Sequence, residues 1–261
     1  MHFDWPFFWH YLFRPSSAYL HGLMLTLVMS IIAQSVGTVL GLFAALGRLS
    51  RMKPLGLLIR GYIWIFRGTP LLVQIVFIYT ALAAGGIFQF RTISLGVLSI
   101  PGNVQAGLLA LSLNEAAYMA EIIRAGILSV DSGQTEAAKS LGMTYGLSMR
   151  RIILPQAARF VIPPLGNEFN GMLKNTTLVS VIGVPELLLS TQELISSTFR
   201  VFELYCVVAL YYLTLTTLWG FVQYQLEAKY GKRSSDAGTA PGFGERLFGS
   251  TLFRAALGKR G

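Results

Sequence analysis

The chain has 261 residues, 53% of them apolar and only 13% charged, with a mean hydropathy of +0.57. A soluble domain carries about 25% charged residues, so the composition excludes an ordinary water-soluble globule and makes lipid the solvent. The net charge of +9 does not describe a nucleic-acid surface, because Lys and Arg collect on alternate connections between apolar runs and not on one face.

Residues 1–19 hold a dense aromatic segment, MHFDWPFFWHYLFR, with neither a basic leader nor a small-residue cleavage site. It is expected to lie at the membrane interface. Residues 22–47 carry no charge; at about 1.5 Å per residue such a run crosses the roughly 30 Å hydrocarbon core. Span one is placed at about 20–46, with Ser16 or Ser17 as its cap. Gly37 and Gly41 within it would let another helix approach closely. A basic loop with Arg48, Arg51 and Lys53 follows, and Pro54 opens an apolar segment read as an interfacial helix. Thr69 as cap and Pro70 as first helical residue place span two at 70–84, or within a longer helix from Gly61 kinked at Pro70. Either way Arg67 is expected near the cytoplasmic end.

Residues 85–103 carry one charge, Arg91, and suit an external connection. Span three covers 104–123, and a polar, helix-prone insert occupies 136–149. Asp131 and Gln134 form a capping-box-like start to it, Gly142 either ends that helix or leaves room for a partner, and Glu136 and Lys139 can pair on its exposed face. Span four begins at Pro155, is interrupted at Pro163–Pro164 and ends near Gly183, before an external loop holding Pro185, Glu186 and Glu193. Span five covers 202–222, with Trp219 and Tyr224 as interfacial belt residues. The remainder, 231–261, is rich in Ser, Gly and Ala and reads as a flexible tail, so the transmembrane domain is 20–230. The basic clusters lie around Arg48–Arg60, Arg124–Arg159 and Lys229–Arg260. By the positive-inside rule they put the N-terminus outside and the C-terminus in the cytoplasm, with five spans between them.

Absent residue types bound the chemistry. Cys206 is the only cysteine, which excludes an internal disulfide or a cysteine metal cluster. His2, His10 and His21 all precede or border the first span, so no buried histidine is expected for acid–base work and no metal site is expected. No G-x-x-x-x-G-K-[ST] run is present, so the chain does not itself cradle nucleotide phosphates.

The insert reads EAAKSLGMTYGLSMRRIILP from Glu136 to Pro155. Glu136, Ala137 and Ala138, then Gly142, then Leu154 and Pro155 resemble the EAA loop of ABC-importer membrane subunits, which the cognate ATPase grips. Three further blocks are similar to the polar amino-acid (histidine/glutamine-type) permease family. They are RGTPLLVQ, holding Arg67, Gly68, Thr69, Pro70 and Gln74; NEAAY from Asn114, with Glu121, Arg124 and Gly126; and KNTTLVS from Lys174, where Asn175 stands at a position often Asp in the family. The resemblance covers about 22–229.

Charged groups deep in a bilayer cost a few kcal/mol each and by default face protein or a water-filled path. On span three, Asn114, Tyr118 and Glu121 fall on one helical face, with Glu115 adjacent. On span four, Asn167, Asn170 and Lys174 share a face, with Glu168 and Asn175 beside them. Together they offer donors for a carboxylate and acceptors for an ammonium, as a zwitterionic solute requires. The same residues could instead tie helices together through a Lys174–Glu pair, Asn hydrogen bonds or a Glu121–Arg124 pair. If span four starts at Pro155, Glu168 lies about 20 Å in and Lys174 about 29 Å in; if it starts at Pro163, Lys174 is near the midplane.

The resemblance implies an all-α membrane protein of the type I ABC-importer kind, with five transmembrane helices and a cytoplasmic coupling helix. It implies a non-enzymatic permease subunit in the bacterial inner membrane, moving polar amino acids. The expected partners are a pair of ABC ATP-binding subunits that hold ATP and magnesium, a second permease copy or paralogue, an extracytoplasmic solute-binding protein and the bilayer, with no nucleic acid. Alternatives are the same architecture for another small polar solute, such as an amino-acid derivative, and an ion-coupled secondary transporter.

Overall fold

A computed structural model describes residues 3–231 except Arg51 and Val97. Among the described residues, nine helices and one hairpin follow in chain order: α1 (Trp5–Phe13), α2 (Ser17–Leu49), α3 (Lys53–Gly68), α4 (Leu71–Ala84), β1 (Ile93–Leu95), β2 (Leu98–Ile100), α5 (Gly102–Leu128), α6 (Ser132–Ser140), α7 (Tyr145–Ile182), α8 (Leu187–Thr198) and α9 (Val201–Gly231). The expected tail falls outside the described residues, apart from Gly231, which closes α9.

Three helices, α2, α5 and α9, are long and apolar enough to cross a membrane. The pairs α3–α4 and α7–α8 bring the number to five when each is taken as one span, bent by 109° and 53° respectively. The expected connection at 85–103 is not wholly irregular. Ile93 pairs with Ile100 and Ser94 with Ser99 in a small antiparallel hairpin.

The frame is the α2–α5 seam, where contacts ascend together along two parallel helices. Gly37 lies against Ser112 and Glu115, Gly41 against Ala116, Met119 and Ala120, and Arg48 pairs with Glu121. A Cβ added at Gly41 would stand 2.6 Å from the Met119 Cβ and 3.0 Å from the Ala116 carbonyl. Only glycine permits this backbone approach, which gains dispersion contact where lipid gives no hydrophobic drive between helices. Above it, Met29, Ala33, Ile75, Leu111, Val179 and Val184 form the main apolar core.

Ser16, not Ser17, caps α2, its hydroxyl accepting from Tyr19 N. At the next predicted start the structure differs. Thr69 is the last residue of the α3 terminus and Pro70, not Thr69, is the cap of α4. The Thr69 hydroxyl donates back to the Ile65 carbonyl at 2.8 Å, because a helix ending at a Pro leaves carbonyls free that a nearby hydroxyl can reach.

The second correction concerns α7. Pro163 and Pro164 do not interrupt it; the α-helical part runs unbroken from Leu154 to Asn175 and tightens into a 3-10 turn at Thr176–Ile182. The carbonyls deprived of a donor are those of Arg159 and Phe160, both exposed residues, while α5 and α9 pack along the rest. The local distortion lies earlier, at a π-turn over Met149–Ile153, where Leu154 N bonds Met149 O. Pro155 has no N–H and its ring would press on the Arg151 carbonyl; widening the turn relieves that clash.

The expected external loop after Gly183 is instead the packed helix α8. Glu186 is fully buried and caps α8, accepting from Leu188 N at 3.0 Å and Leu189 N at 2.8 Å, and from the Tyr212 hydroxyl at 3.0 Å. Helix α1 runs along the first turns of α9. The Tyr211 hydroxyl donates to the Leu12 carbonyl at 2.9 Å, and Asp4 pairs with Arg200 at 3.0 Å. Trp219 is not a free belt residue: its indole N–H donates to the Gly166 carbonyl at 2.8 Å and its ring meets Phe169.

Candidate functional site

Two regions concentrate the motif residues, one at the end of the bundle and one at its mid-height. At the end, α6 begins at Asp131, whose side chain accepts from Gly133 N at 2.8 Å. The capping box is half made, since the Gln134 side chain turns away and accepts from Gln156 of α7 at 3.2 Å. Gly142 ends the helix in the left-handed conformation, φ 71°. Gly142 N bonds Lys139 O and Met143 N bonds Ala138 O, the paired bonds of a Schellman termination. Apart from its chain neighbours, no described residue comes within 4 Å of a Cβ built at Gly142. Glu136 and Lys139 make no ion pair among the described residues, and both are exposed with Ala137.

Ala138 is buried and anchors α6 on the start of α7. The opposite side is bare. Leu141 is 80% and Tyr145 64% exposed, an apolar rim beside the polar Glu136 face that the described residues leave uncovered. Leu154 packs into the cluster of Ala45, Met119, Ile123 and Ile153, and Pro155 is exposed. Because α7 continues from Tyr145 past Glu168, the same rod that carries α6 carries the polar residues at mid-height.

Glu115 stands midway along α5 and Glu168 midway along α7, within electrostatic reach of one another. The unbroken helix from Leu154 therefore sets their depth: Glu168 is central, and Lys174, about 9 Å further along, lies in the half remote from α6. Glu115 is 4% exposed and accepts from Gln34 Nε2 of α2 at 2.7 Å. Arg67 was expected near the end of the bundle, yet its guanidinium sits over the Tyr118 ring of α5, 5.2 Å from the centroid, and within electrostatic reach of Glu168. The reason is α3. It climbs obliquely back from Gly47, which Ile59 contacts, to the Leu113 level, where the Tyr62 hydroxyl donates to the Leu113 carbonyl. That climb lifts Arg67 to mid-height.

The sequence-derived pathway residues thus divide. Asn114 turns to α3 and α4, donating to the Phe66 carbonyl and to Gln74 Oε1. Glu121 is held between Arg48 and Arg124, the latter at 2.9 Å. Asn167 accepts from Gln223 of α9 at 3.0 Å. Tyr118, Glu168 and Asn170 are half-buried, and Arg67, Lys174 and Asn175 are exposed; Lys174 makes no ion pair among the described residues. Gly68 and Pro70 form the α3–α4 corner and carry no polar side chain to it. Gln34 was missed, although a Gln inside an uncharged span was itself a signal of a buried partner. Among the described residues no cluster of three or more His, Cys, Asp or Glu could hold a metal ion.

Comparison with known proteins follows the same lines. Residues 37–232 match the family described as binding-protein-dependent transport system inner membrane component. The chain is 40% identical to the arginine transport system permease protein ArgU of Corynebacterium glutamicum, over 91% of this chain and 75% of that one. It is 42% identical to the probable glutamine ABC transporter permease protein GlnM of Bacillus subtilis, over 78% and 89%. It is also 42% identical to the octopine transport system permease protein OccM of Rhizobium meliloti, over 82% and 85%. Among solved structures, one described as an amino acid ABC transporter with histidines superposes with a TM-score of 0.76 at 40% identity, covering 88% of this chain and all of that one.

Proposed function

The chain belongs to the binding-protein-dependent transport system inner membrane components, and we propose that this permease subunit of an ABC importer passes polar amino acids across the inner membrane beside Arg67, Tyr118 and Glu168. The subunit is non-catalytic and multi-pass, and membership of the family implies an ATPase and a binding protein as partners. The observation that carries the reading is the continuous helix α7, which joins the exposed α6 handle to the carboxylate at mid-height.

A zwitterionic solute needs a cation for its carboxylate and an acceptor for its ammonium. Arg67 supplies the first, and Glu168 with Glu115 the second. Asn170, Lys174 and Asn175 line the approach from the side remote from α6. A guanidinium over an aromatic ring remains free to receive an oxyanion on its edge. The relatives named for arginine, glutamine and octopine support a polar amino acid or its derivative as the solute.

In this reading the ATPase pair holds ATP and magnesium and grips the Glu136–Gly142 segment, with its apolar side chains packing on Leu141 and Tyr145. Closure of the pair swings α6 and α7 as one lever and switches the access of the mid-height residues. A second copy or paralogue of the chain completes the pathway. The α6 end faces the cytoplasm and the N-terminus lies outside. Basic residues support that orientation, since Arg48, Lys53, Lys139, Arg150 and Arg151 gather at this end.

The test uses the subunit purified with its ATPase and binding protein and reconstituted in vesicles. Glu136→Lys is expected to leave membrane insertion intact and to cut substrate-stimulated ATP hydrolysis at least tenfold. Full stimulation in that variant would sink the lever. Uptake of arginine, glutamine, histidine and octopine by the wild-type complex separates an amino-acid solute from a derivative.

A further inference from the structure

The RGTPLLVQ block does more than turn the chain. We propose that Gln74 and Asn114 are positioning residues that hold Arg67 for the substrate's carboxylate, an inference that rests on the role given to Arg67 above.

Pro70 has no N–H, so the carbonyl of Phe66, four residues earlier, has no helical donor. Two side-chain amides replace it. Gln74 Nε2, from α4, donates to that oxygen at 2.8 Å, and Asn114 Nδ2, from α5, at 3.2 Å. The same Gln74 amide group reaches the Thr69 carbonyl at 3.1 Å and the Thr69 hydroxyl at 2.8 Å. Asn114 also donates to Gln74 Oε1 at 3.0 Å, which locks the two amides to each other. Gln74 is only 8% exposed.

The Phe66 carbonyl belongs to the peptide unit that carries Arg67 N. The bracket therefore fixes the backbone of the cation that the structure brings over Tyr118. Asn114 and Tyr118 are four apart on α5, one turn of the same face. The first holds the arginine's peptide and the second receives its guanidinium. A bare helix break could be satisfied by water. A buried amide from α4 and a half-buried one from α5 instead tie the arginine to both helices, so its guanidinium keeps one place while α7 moves.

Binding to the permease–ATPase complex in lipid nanodiscs, without the binding protein, isolates this site. The probes are labelled L-arginine, L-glutamine and L-histidine, each competed by itself and by its α-carboxamide, which lacks the anionic carboxylate. Wild-type complex is expected to prefer the free acid, and Arg67→Ala to erase that preference. Gln74→Leu and Asn114→Ala are each expected to weaken free-acid binding about tenfold while leaving amide binding unchanged. A merely structural role would weaken both ligands together, and that result overturns the proposal. If Gln74→Leu fails to assemble, Asn114→Ala decides, because it leaves the shorter Gln74 bond in place. Preference lost in Arg67→Ala but intact in folded Gln74 and Asn114 variants refutes the bracket alone. Preference intact in Arg67→Ala, or no saturable binding of any probe to wild type, refutes the site itself and the bracket with it.

Discussion

The α2–α5 seam and the α6 handle are both built from glycine and alanine, yet the two regions use small side chains for opposite ends. In the seam, Gly37, Gly41, Ala33, Ala45, Ala116, Ala117 and Ala120 are buried, and what matters is that two backbones touch. In and just after α6, Ala137 and Gly142 are exposed, and on the proposed function that surface is left clear for another molecule. Small residues facing a helix of the same chain store stability. Small residues facing solvent between two spans leave an open surface. Composition alone does not distinguish them; the neighbouring backbone does.

The sharpest way to break the comparison is to enlarge a residue on each side. Gly41→Leu should have the largest effect, since its added atoms meet the backbone of Ala116 and Ala120 at 3.0 Å as well as the Met119 Cβ. Overpacking of this kind costs about 1–3 kcal/mol or more, and here the helices themselves must part. We expect no monodisperse subunit on size-exclusion chromatography in detergent; recovery at the wild-type level would show that the seam can open. Gln34→Leu comes next. It removes the donor to Glu115 and leaves a buried carboxyl group unsatisfied at about 1–3 kcal/mol, to be seen as a lower thermal midpoint of the detergent-solubilised subunit. The smallest change in stability should come from Gly142→Val. Left-handed backbone at a β-branched residue costs about 1–3 kcal/mol locally, but the site is open and terminal, so α6 shortens and the rest of the bundle is unmoved. The expected result is an unchanged thermal midpoint with a several-fold fall in stimulated ATP hydrolysis. An equal fall in both would mean that α6 supports the bundle and is no independent handle.

Much of the fold was legible in the sequence because its signals are local. Apolar runs located α2, α5 and α9, the Ser16–Ser17 pair and Asp131 marked helix starts, and Gly142 was one of two readings the structure resolved as a helix end. The α6 motif was equally readable, since a helix stop and the Glu-Ala-Ala run depend on neighbours within a few residues, although Ala138 of that run turns inward onto α7. The polar residues at mid-height were visible as a set but not in their roles. Asn114 was grouped with Glu121 by helical spacing, whereas Asn114 turns to the α3–α4 corner and Glu121 to Arg48. Spacing gives the face of a helix; it does not say which helix covers that face.

What the sequence by itself determined, then, is where helices begin, end and stay apolar, because those choices are made by hydrogen bonds and side chains of adjacent residues. The tertiary structure alone decided heights. Arg67 reaches the mid-height of α5 because α3 climbs obliquely against α2 and α5, Glu168 comes within electrostatic reach of Glu115 because α7 carries on through two prolines, and α8 lies packed against α2 and α9. Tilt, bend and depth are settled by packing between distant segments, and no window of the chain contains the partners that settle them.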